Sequence, residues 1–211
     1  MAIATPNPHH TTGHRPWNKW HLIGPKPPLK LPEVWGIRIR LQIEHNTRQL
    51  ALFNLAIDSK LRGCDLVSLQ VRGVIHGNQA VKRAAVIQKK TDWPVQFELT
   101  PQTRQAAEKW VSKAHLQPGD YLFSSRMHDS PHISTRALRE TRKVLGGRAR
   151  LGPAEYGTHS LRRTKATLVC RRTRNLGAVQ RLLGHTKLES TVRYLGIEVD
   201  DALETSEQTE V

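Results

Sequence analysis

The sequence lacks the features that build several common classes of protein. Its 211 residues include two cysteines, Cys64 and Cys170, which lie far apart and follow no repeated spacing. It contains neither the C-x-x-C nor the H-E-x-x-H spacing of common zinc sites. No apolar run approaches the roughly 18 residues that a membrane helix needs, and the N-terminus has no signal-peptide core. We therefore expect a cytoplasmic protein with no membrane contact, no disulfide framework, and no metal or other cofactor.

Acidic residues are also scarce. Lys and Arg total 33 against 18 Asp and Glu, which gives a net charge of +15 and a pI of about 10.5. Residues 198–211 hold six acids and no base, so the rest of the chain is more basic still. This balance indicates a polyanionic partner. No basic amphipathic segment with an aromatic face stands out, which disfavours a membrane surface as that partner.

The chain divides by composition. Residues 1–30 hold six of the twelve prolines and no acid, which indicates an extended basic arm or linker. The next segment is ambiguous, because Pro32 suits the start of a helix whereas G-I-R-I-R-L-Q-I-E alternates as a strand does. Residues 48–61 are apolar nearly all round and predict a central helix.

A small sheet and more helices complete the predicted fold. Residues 70–99 contain three short β-rich runs, which predict a three-stranded antiparallel sheet. The fold class is therefore α+β and mostly α, in a domain over 31–197 followed by an acidic tail over 198–211. Asp65 begins a short turn, and longer helices are expected over 101–115, 132–145, 158–172, 175–183, 187–195 and 199–207.

The segment L-L-G-H-T-K-L-E-S-T-V-R-Y-L-G, residues 182–196, predicts a short helix between two glycines. Gly184 ends the preceding helix and Gly196 ends this one. Thr186 and Glu189 have the spacing of a capping box, which starts the helix at about Lys187.

Tyr194 in that helix has two interpretations. Leu188, Val192 and Leu195 form the expected buried stripe, and Tyr194 lies about 120° from its centre. A half-buried core tyrosine beside a surface His185 is one interpretation. The other is a nucleophilic phenol with His185 touching its target.

A basic cluster precedes this segment. Residues 159–174, H-S-L-R-R-T-K-A-T-L-V-C-R-R-T-R, contain six bases and no acid. His159 and Arg162 share one face of the helix start. Together with the helix N-terminus they form a good phosphate site, because arginine binds phosphate oxygens in a bidentate manner.

The motifs H-x-L-R-R-T, L-L-G-H-T and R-Y-L-G, in this order, closely resemble the catalytic core of the tyrosine recombinases, the phage-integrase family. D-S-K-L-R-G-C-D-L-V-S-L resembles the family's first-arginine block and gives Arg62. I-Q-K-K-T-D-W-P-V-Q-F-E-L resembles its β-hairpin block and gives Lys90, with Lys89 as second choice. The resemblance covers about residues 31–197 and implies the recombinase catalytic fold. Because its first segment is helical, helix is favoured for 32–44.

The resemblance implies a site-specific recombinase or integrase that breaks and rejoins DNA by transesterification. Tyr194 would attack a phosphodiester and form a 3′-phosphotyrosine. His159 would assist removal of the phenolic proton, and Lys90 would protonate the departing 5′-oxygen. No cofactor is implied.

The remaining residues would hold the DNA. Arg62 and Arg162 would clamp the nonbridging phosphate oxygens, and His185 would donate to one of them. Contacts to the DNA backbone are expected from the other bases: Arg163, Lys165, Arg171, Arg172, Arg174 and Arg126.

The family also implies partners. The first is double-stranded DNA, which would place the protein at the bacterial nucleoid. The second is further copies of the chain, which would form a tetramer during strand exchange. Residues 198–211 would then dock on a neighbouring protomer. Family members usually carry a helical domain before the catalytic one, where this sequence has the arm over 1–30. Two alternatives remain open: a type IB topoisomerase-like nicking and resealing enzyme, and a non-catalytic DNA-binding regulator.

Overall fold

The computed structural model describes residues 26–126, 129–138 and 157–197. Residues 1–25 of the arm predicted over 1–30, and the tail with its predicted helix, lie outside the described residues. The helices are α1 (Leu31–Ile43), α2 (Thr47–Asp58), α3 (Gly63–Val67), α4 (Pro101–Lys113), α5 (Thr158–Thr173), α6 (Leu176–Leu183) and α7 (Leu188–Leu195). Of the helix predicted over 132–145, a turn at 135–138 is described.

Helix α1 resolves the ambiguity of the first segment in favour of a helix. Pro32 lies in its first turn, and the Glu33 carboxylate accepts a hydrogen bond of 2.7 Å from the backbone N–H of Lys30. The buried residues are Val34, Ile37 and Leu41, which follow the three- and four-residue spacing of one helix face. The strand-like alternation therefore does not reflect a strand, because the buried residues follow helical spacing and the helix packs against α2.

Helix α2 is central, as its apolar sequence predicts. Every residue from Ala51 to Asp58 is buried. Asn46 caps its start by accepting a hydrogen bond from the backbone N–H of Gln49. The helix packs against α1, α4 and α5, so it connects the first half of the domain to the basic cluster.

The strands differ from the predicted three-stranded sheet. β1 (Ile75–His76) pairs with β2 (Gln79–Ala80), and β3 (Arg83–Ile87) pairs with β4 (Pro94–Glu98), both antiparallel, as two separate two-stranded sheets. The first predicted run, residues 70–79, contains β1 and the first residue of β2, so it folds back on itself, and the chain then bends before β3 in the second run, residues 80–90. Val81 donates from its N–H to the carbonyl of Val74, whereas the carbonyl of Lys82 accepts from Leu99.

The packed domain begins before residue 31. Leu29 is buried, and its N–H donates to the Thr164 hydroxyl over 3.1 Å. The Lys26 carbonyl accepts a hydrogen bond of 2.7 Å from Arg163. Residues 26–30 thus belong to the folded domain and not to the predicted arm, because apolar Leu29 finds a core site on α5. None of the helices in the described ranges is long and apolar enough to cross a membrane.

Candidate active site

Four side chains surround the ring of Tyr194. The His185 and His159 rings meet it edge-on, with centroids 5.4 and 6.5 Å away. The guanidinium carbons of Arg163 and Arg162 lie 4.6 and 5.4 Å from its centroid. Its hydroxyl donates to the backbone carbonyl of His159 over 3.4 Å. The tyrosine, both histidines and the second arginine of the predicted set are therefore neighbours in space.

The predicted packing of α7 was wrong for Leu188 and correct for Leu195. Leu188 is 43% exposed, whereas Thr191 is fully buried. Tyr194 and Leu195 pack against a small apolar cluster centred on Ala166, Val179 and Leu183, so Tyr194 belongs to the packed face. The apolar residues alone did not predict the buried face, because the most buried position of the helix is a polar residue, Thr191, whose hydroxyl has a partner.

The ends of α7 match the sequence in part. Gly184 and Gly196 both adopt left-handed backbone conformations, with φ of 65° and 70°, and end α6 and α7 as predicted. The predicted capping box does not form. Lys187 is the N-cap residue and makes no side-chain cap, because the helix begins one residue later than the Thr186 spacing requires.

His185 is held by Thr191. Its Nδ1 lies 3.1 Å from the Thr191 hydroxyl oxygen. Burial, with the nearby charges of Arg162 and Arg62, lowers the pKa of His185 to about 4. The ring is therefore neutral near pH 7. If the threonine hydroxyl donates to Nδ1, the proton sits on Nε2, which can then donate to a ligand.

Hydrogen bonds link the two predicted arginines, Arg62 and Arg162, through the side-chain amide of Gln88 and the backbone carbonyl of Leu183. Arg62, which precedes α3, donates from a terminal nitrogen to Oε1 of the buried Gln88. Arg162 is buried at the start of α5 and donates to the Leu183 carbonyl over 2.6 Å. Its Nε is buried with no hydrogen-bond partner in the described part of the chain. Donor capacity is thus left over for a ligand.

Lys90 lies in the exposed turn between β3 and β4. Burial is the largest cause of the lowered pKa of His159, and the charges of Arg162, Arg163, Arg62 and Lys90 add to it. Lys90 is therefore close enough to act electrostatically on the site. Its neighbour Lys89 is fixed through its backbone, whose N–H donates to the Asp65 carboxylate over 2.9 Å. Lys90 remains the predicted hairpin lysine, with Lys89 as second choice.

Two of the six bases predicted to contact the DNA backbone are engaged inside the protein instead. Lys165 forms ion pairs of 2.8 Å with Asp58 and 2.7 Å with Glu98. Arg163 is buried, donates to the carbonyl of Lys26 and stacks on Tyr194. Charge runs alone cannot separate these residues from exposed bases, because the carboxylate partners of Lys165 come from distant segments.

The other four bases are exposed. Arg171, Arg172 and Arg174 lie at the end of α5, about 14 to 18 Å along the helix from Arg162 by the helical rise per residue. Arg126 is close enough to Arg48 that the two charges interact. All four remain predictions as contacts to the DNA backbone.

Sequence reasoning missed two residues of the site and gave a third a different role. Thr191 and Gln88 were missed; Thr191 orients His185, and Gln88 binds Arg62. Arg163 was predicted to contact the DNA backbone but stacks on the Tyr194 ring, and the H-x-L-R-R-T motif gave no sign that it faces inward. The described residues hold no cluster of three or more His, Cys, Asp or Glu side chains that could share a metal ion.

Comparisons with other proteins agree on one family. The family described as "Phage integrase family" matches residues 39–199. A probable integrase/recombinase of Bacillus subtilis, YoeC, is 29% identical over 158 residues, which cover 75% of this chain and 82% of the relative. A tyrosine recombinase of Pseudothermotoga lettingae is 30% identical over 155 residues, covering 72% of this chain and 50% of the relative.

A solved structure agrees in fold. The XerH site-specific recombinase, bound to its difH substrate in a pre-cleavage complex, superposes with a TM-score of 0.68 at 18% identity. The match covers 88% of this chain and 55% of that one. The chain thus spans about half the length of the thermotogal relative and of XerH, and most of the Bacillus relative.

Proposed function

The chain belongs to the phage integrase family of tyrosine recombinases, and we propose that it cleaves and rejoins double-stranded DNA through a 3′-phosphotyrosine at Tyr194. The observation that carries this proposal is the enclosure of the Tyr194 ring by two histidines and two arginines. A tyrosine that served only to fill the core would not need these four groups around it. A phenol that must attack a phosphate anion does, because charge develops on the phosphoryl oxygens.

Proton removal is the first requirement. Burial raises the pKa of Tyr194, although the charges of Arg162, Arg163 and Arg62 oppose this effect. The phenol is therefore protonated near pH 7 and needs a base. Burial and neighbouring positive charges lower the pKa of His159, so its imidazole is neutral and can take the proton. The Tyr194 hydroxyl itself donates to the backbone carbonyl of His159, which places the phenol next to that residue.

The second requirement is stabilisation of the phosphorane-like transition state. Arg62 and Arg162 supply two planar guanidinium groups for the nonbridging oxygens. Neutral His185 supplies an Nε2–H donor. Lys90 in the hairpin turn gives its proton to the departing 5′-oxygen as the P–O bond breaks.

The rejoining step reverses these roles. One phosphodiester bond is exchanged for the phosphotyrosine bond, so its energy is retained, and a 5′-hydroxyl from another strand attacks the phosphotyrosine. The Tyr194 oxygen leaves and takes back a proton. Neither hydrolysis of a nucleotide nor an external redox partner enters the balance.

The partner is duplex DNA. Support comes from the net charge of +15, from the exposed arginines at the end of α5, and from a neighbour in fold, the Tn1549 transposon integrase, which was solved in complex with transposon right end DNA. We infer that further copies of the chain assemble on the DNA, with four copies during exchange, since strands of two duplexes must be cut and exchanged. The acidic residues 198–211 would dock on a neighbouring copy, away from the DNA that they repel.

The central experiment traps the covalent intermediate. A nicked suicide duplex loses the short strand after cleavage, so the phosphotyrosine accumulates and shifts the protein on a denaturing gel. Tyr194→Phe should abolish this adduct while leaving DNA affinity within a few-fold, because the ring and its packing remain. An adduct formed by the Phe variant would assign the nucleophile elsewhere.

Two further assays separate the enzyme classes. Strand exchange between two duplexes is expected of a recombinase, and relaxation of supercoiled DNA without exchange is expected of a type IB topoisomerase. DNA binding with no adduct on any duplex would indicate the non-catalytic regulator. A library of duplexes selected on the protein would supply the target site for these assays.

A further inference from the structure

Gln88 is a buried polar side chain at the junction of the site's parts. It follows β3 directly and is fully buried. Its carbonyl oxygen accepts from the backbone N–H of Asp92 over 2.9 Å, so it also begins the turn that carries Lys90. A buried amide is costly unless both its oxygen and its nitrogen are satisfied. Its partners therefore show what the site requires of it.

The side chain of Gln88 binds one arginine directly and the other through a shared carbonyl. Its Oε1 accepts from a terminal nitrogen of Arg62 and, at 3.1 Å, from the hydroxyl of Thr91. Its Nε2 donates to the carbonyl of Leu183 over 3.5 Å. That same carbonyl accepts from Arg162 over 2.6 Å. One amide thus connects the guanidinium groups of Arg62 and Arg162, the second of which lies against the Tyr194 ring.

The chain makes room for this amide at Gly184. A Cβ atom at that position would lie 2.9 Å from Oε1 of Gln88 and 2.6 Å from Cγ2 of Val95. Its φ of 65° disfavours a side chain as well. Glycine at this place therefore ends α6 and also lets the Gln88 side chain reach the helix end that precedes His185.

An arginine side chain has many rotamers, and fixing it in one of them costs conformational entropy. A clamp that is fixed before DNA binds avoids that loss in the transition state. Gln88 uses one of the five N–H donors of Arg62 and leaves the remainder for a phosphate. The uncharged amide does this without neutralising the guanidinium, which a carboxylate at the same position would do.

We propose that Gln88 is a positioning residue that holds Arg62 ready for the scissile phosphate and sets its place relative to Arg162. This inference rests on the proposed function. It requires no contact between Gln88 and DNA. The competing explanation is that Gln88 only anchors the β3–β4 turn, in which case its removal would act through Lys90 or through stability.

A double-mutant cycle distinguishes these explanations. Gln88→Met keeps the length of the side chain and removes both polar groups. Its single-turnover cleavage of the suicide duplex should be roughly 10- to 100-fold slower than that of the wild type, as for a misplaced catalytic group, with DNA affinity within a few-fold. If Gln88 acts through Arg62, adding Gln88→Met to Arg62→Lys should slow cleavage little further.

The matched control is the same cycle with Lys90→Gln. There the two losses should multiply, because Lys90 acts on the leaving oxygen and not on the nonbridging ones. Multiplying losses with Arg62→Lys, or non-multiplying losses with Lys90→Gln, would overturn the proposal in favour of a turn anchor. A wild-type rate for Gln88→Met would overturn it outright.

A second readout covers the case in which Gln88→Met does not fold. Gln88→Glu keeps an acceptor for Arg62 but pairs it with a negative charge. A duplex with a methylphosphonate at the scissile position lacks one charged oxygen and depends less on the arginine clamp. Relative to wild type, the cleavage rates of Gln88→Glu and Arg62→Lys should both fall more on the normal phosphate than on the methylphosphonate. Equal losses for Gln88→Glu on both duplexes would contradict the proposal.

The wild-type protein separates the two levels of failure. If it forms no adduct on either duplex, the proposed function fails. If it forms the adduct and the Gln88 variants match it, only the role of Gln88 fails.

Discussion

Replacing Thr191 with valine tests whether His185 acts as a fixed neutral donor. Valine has nearly the same shape as threonine, and position 191 is fully buried, so packing should change little. The change removes the hydroxyl that lies 3.1 Å from Nδ1 of His185. An unmade hydrogen bond at a buried group costs about 1–3 kcal/mol. If that whole loss falls on the transition state, cleavage slows by roughly 5- to 150-fold.

The assay is single-turnover adduct formation on the suicide duplex, with DNA affinity measured in parallel. Affinity should stay within a few-fold, because His185 is one donor among several. Thr167→Val is the matched control, since the Thr167 hydroxyl is buried on α5 with no hydrogen-bond partner in the described residues. This control should cleave at the wild-type rate. Wild-type cleavage by Thr191→Val, or equal losses in both variants, would refute the assigned role of Thr191.

Three other predictions concern acid, the basic surface and metals. Because the folded pKa of His185 is about 4 and the unfolded value is about 6.5, the unfolded chain binds the proton first. The free energy of unfolding that neutral His185 contributes above pH 6.5 should therefore be lost as the pH falls toward 4. Over the same pH range the melting temperature of His185→Gln should fall less than that of the wild type. Lys165→Met should lower the melting temperature, because it removes the ion pairs of Lys165 with Asp58 and Glu98, and it should leave the salt dependence of DNA binding unchanged, because Lys165 is engaged inside the protein. Arg172→Ala, at an exposed base, should instead reduce the slope of log affinity against log salt by about 0.9. A reduced slope for Lys165→Met with an unchanged slope for Arg172→Ala would show that Lys165, and not Arg172, contacts the DNA backbone. Cleavage should persist in excess chelator, and its loss with recovery on adding magnesium would contradict a mechanism carried by arginines and histidines.

The linear sequence was enough for much of the fold. Helices α2, α4, α5 and α6 form within one or two residues of the segments predicted for them, 48–61, 101–115, 158–172 and 175–183, apart from the last three residues of the first. The glycines at 184 and 196 mark helix ends because a left-handed residue is needed there whatever the tertiary context. The candidate site residues could be named in advance because the motifs that carry them resemble, in type, spacing and order, those of the tyrosine recombinases.

Only the tertiary structure decided which face of each element is used. Arg163 and Lys165 have the same composition signal as Arg171 and Arg172, yet the first two are turned inward by Lys26 and by Asp58, which lie more than 100 residues away in the chain. Thr191 and Gln88 are ordinary polar residues until the fold places His185 and Arg62 beside them. Local patterns encode propensity and period, which act over a few residues. Burial and the pairing of polar groups depend on contacts between distant segments, so no short stretch of sequence contains them.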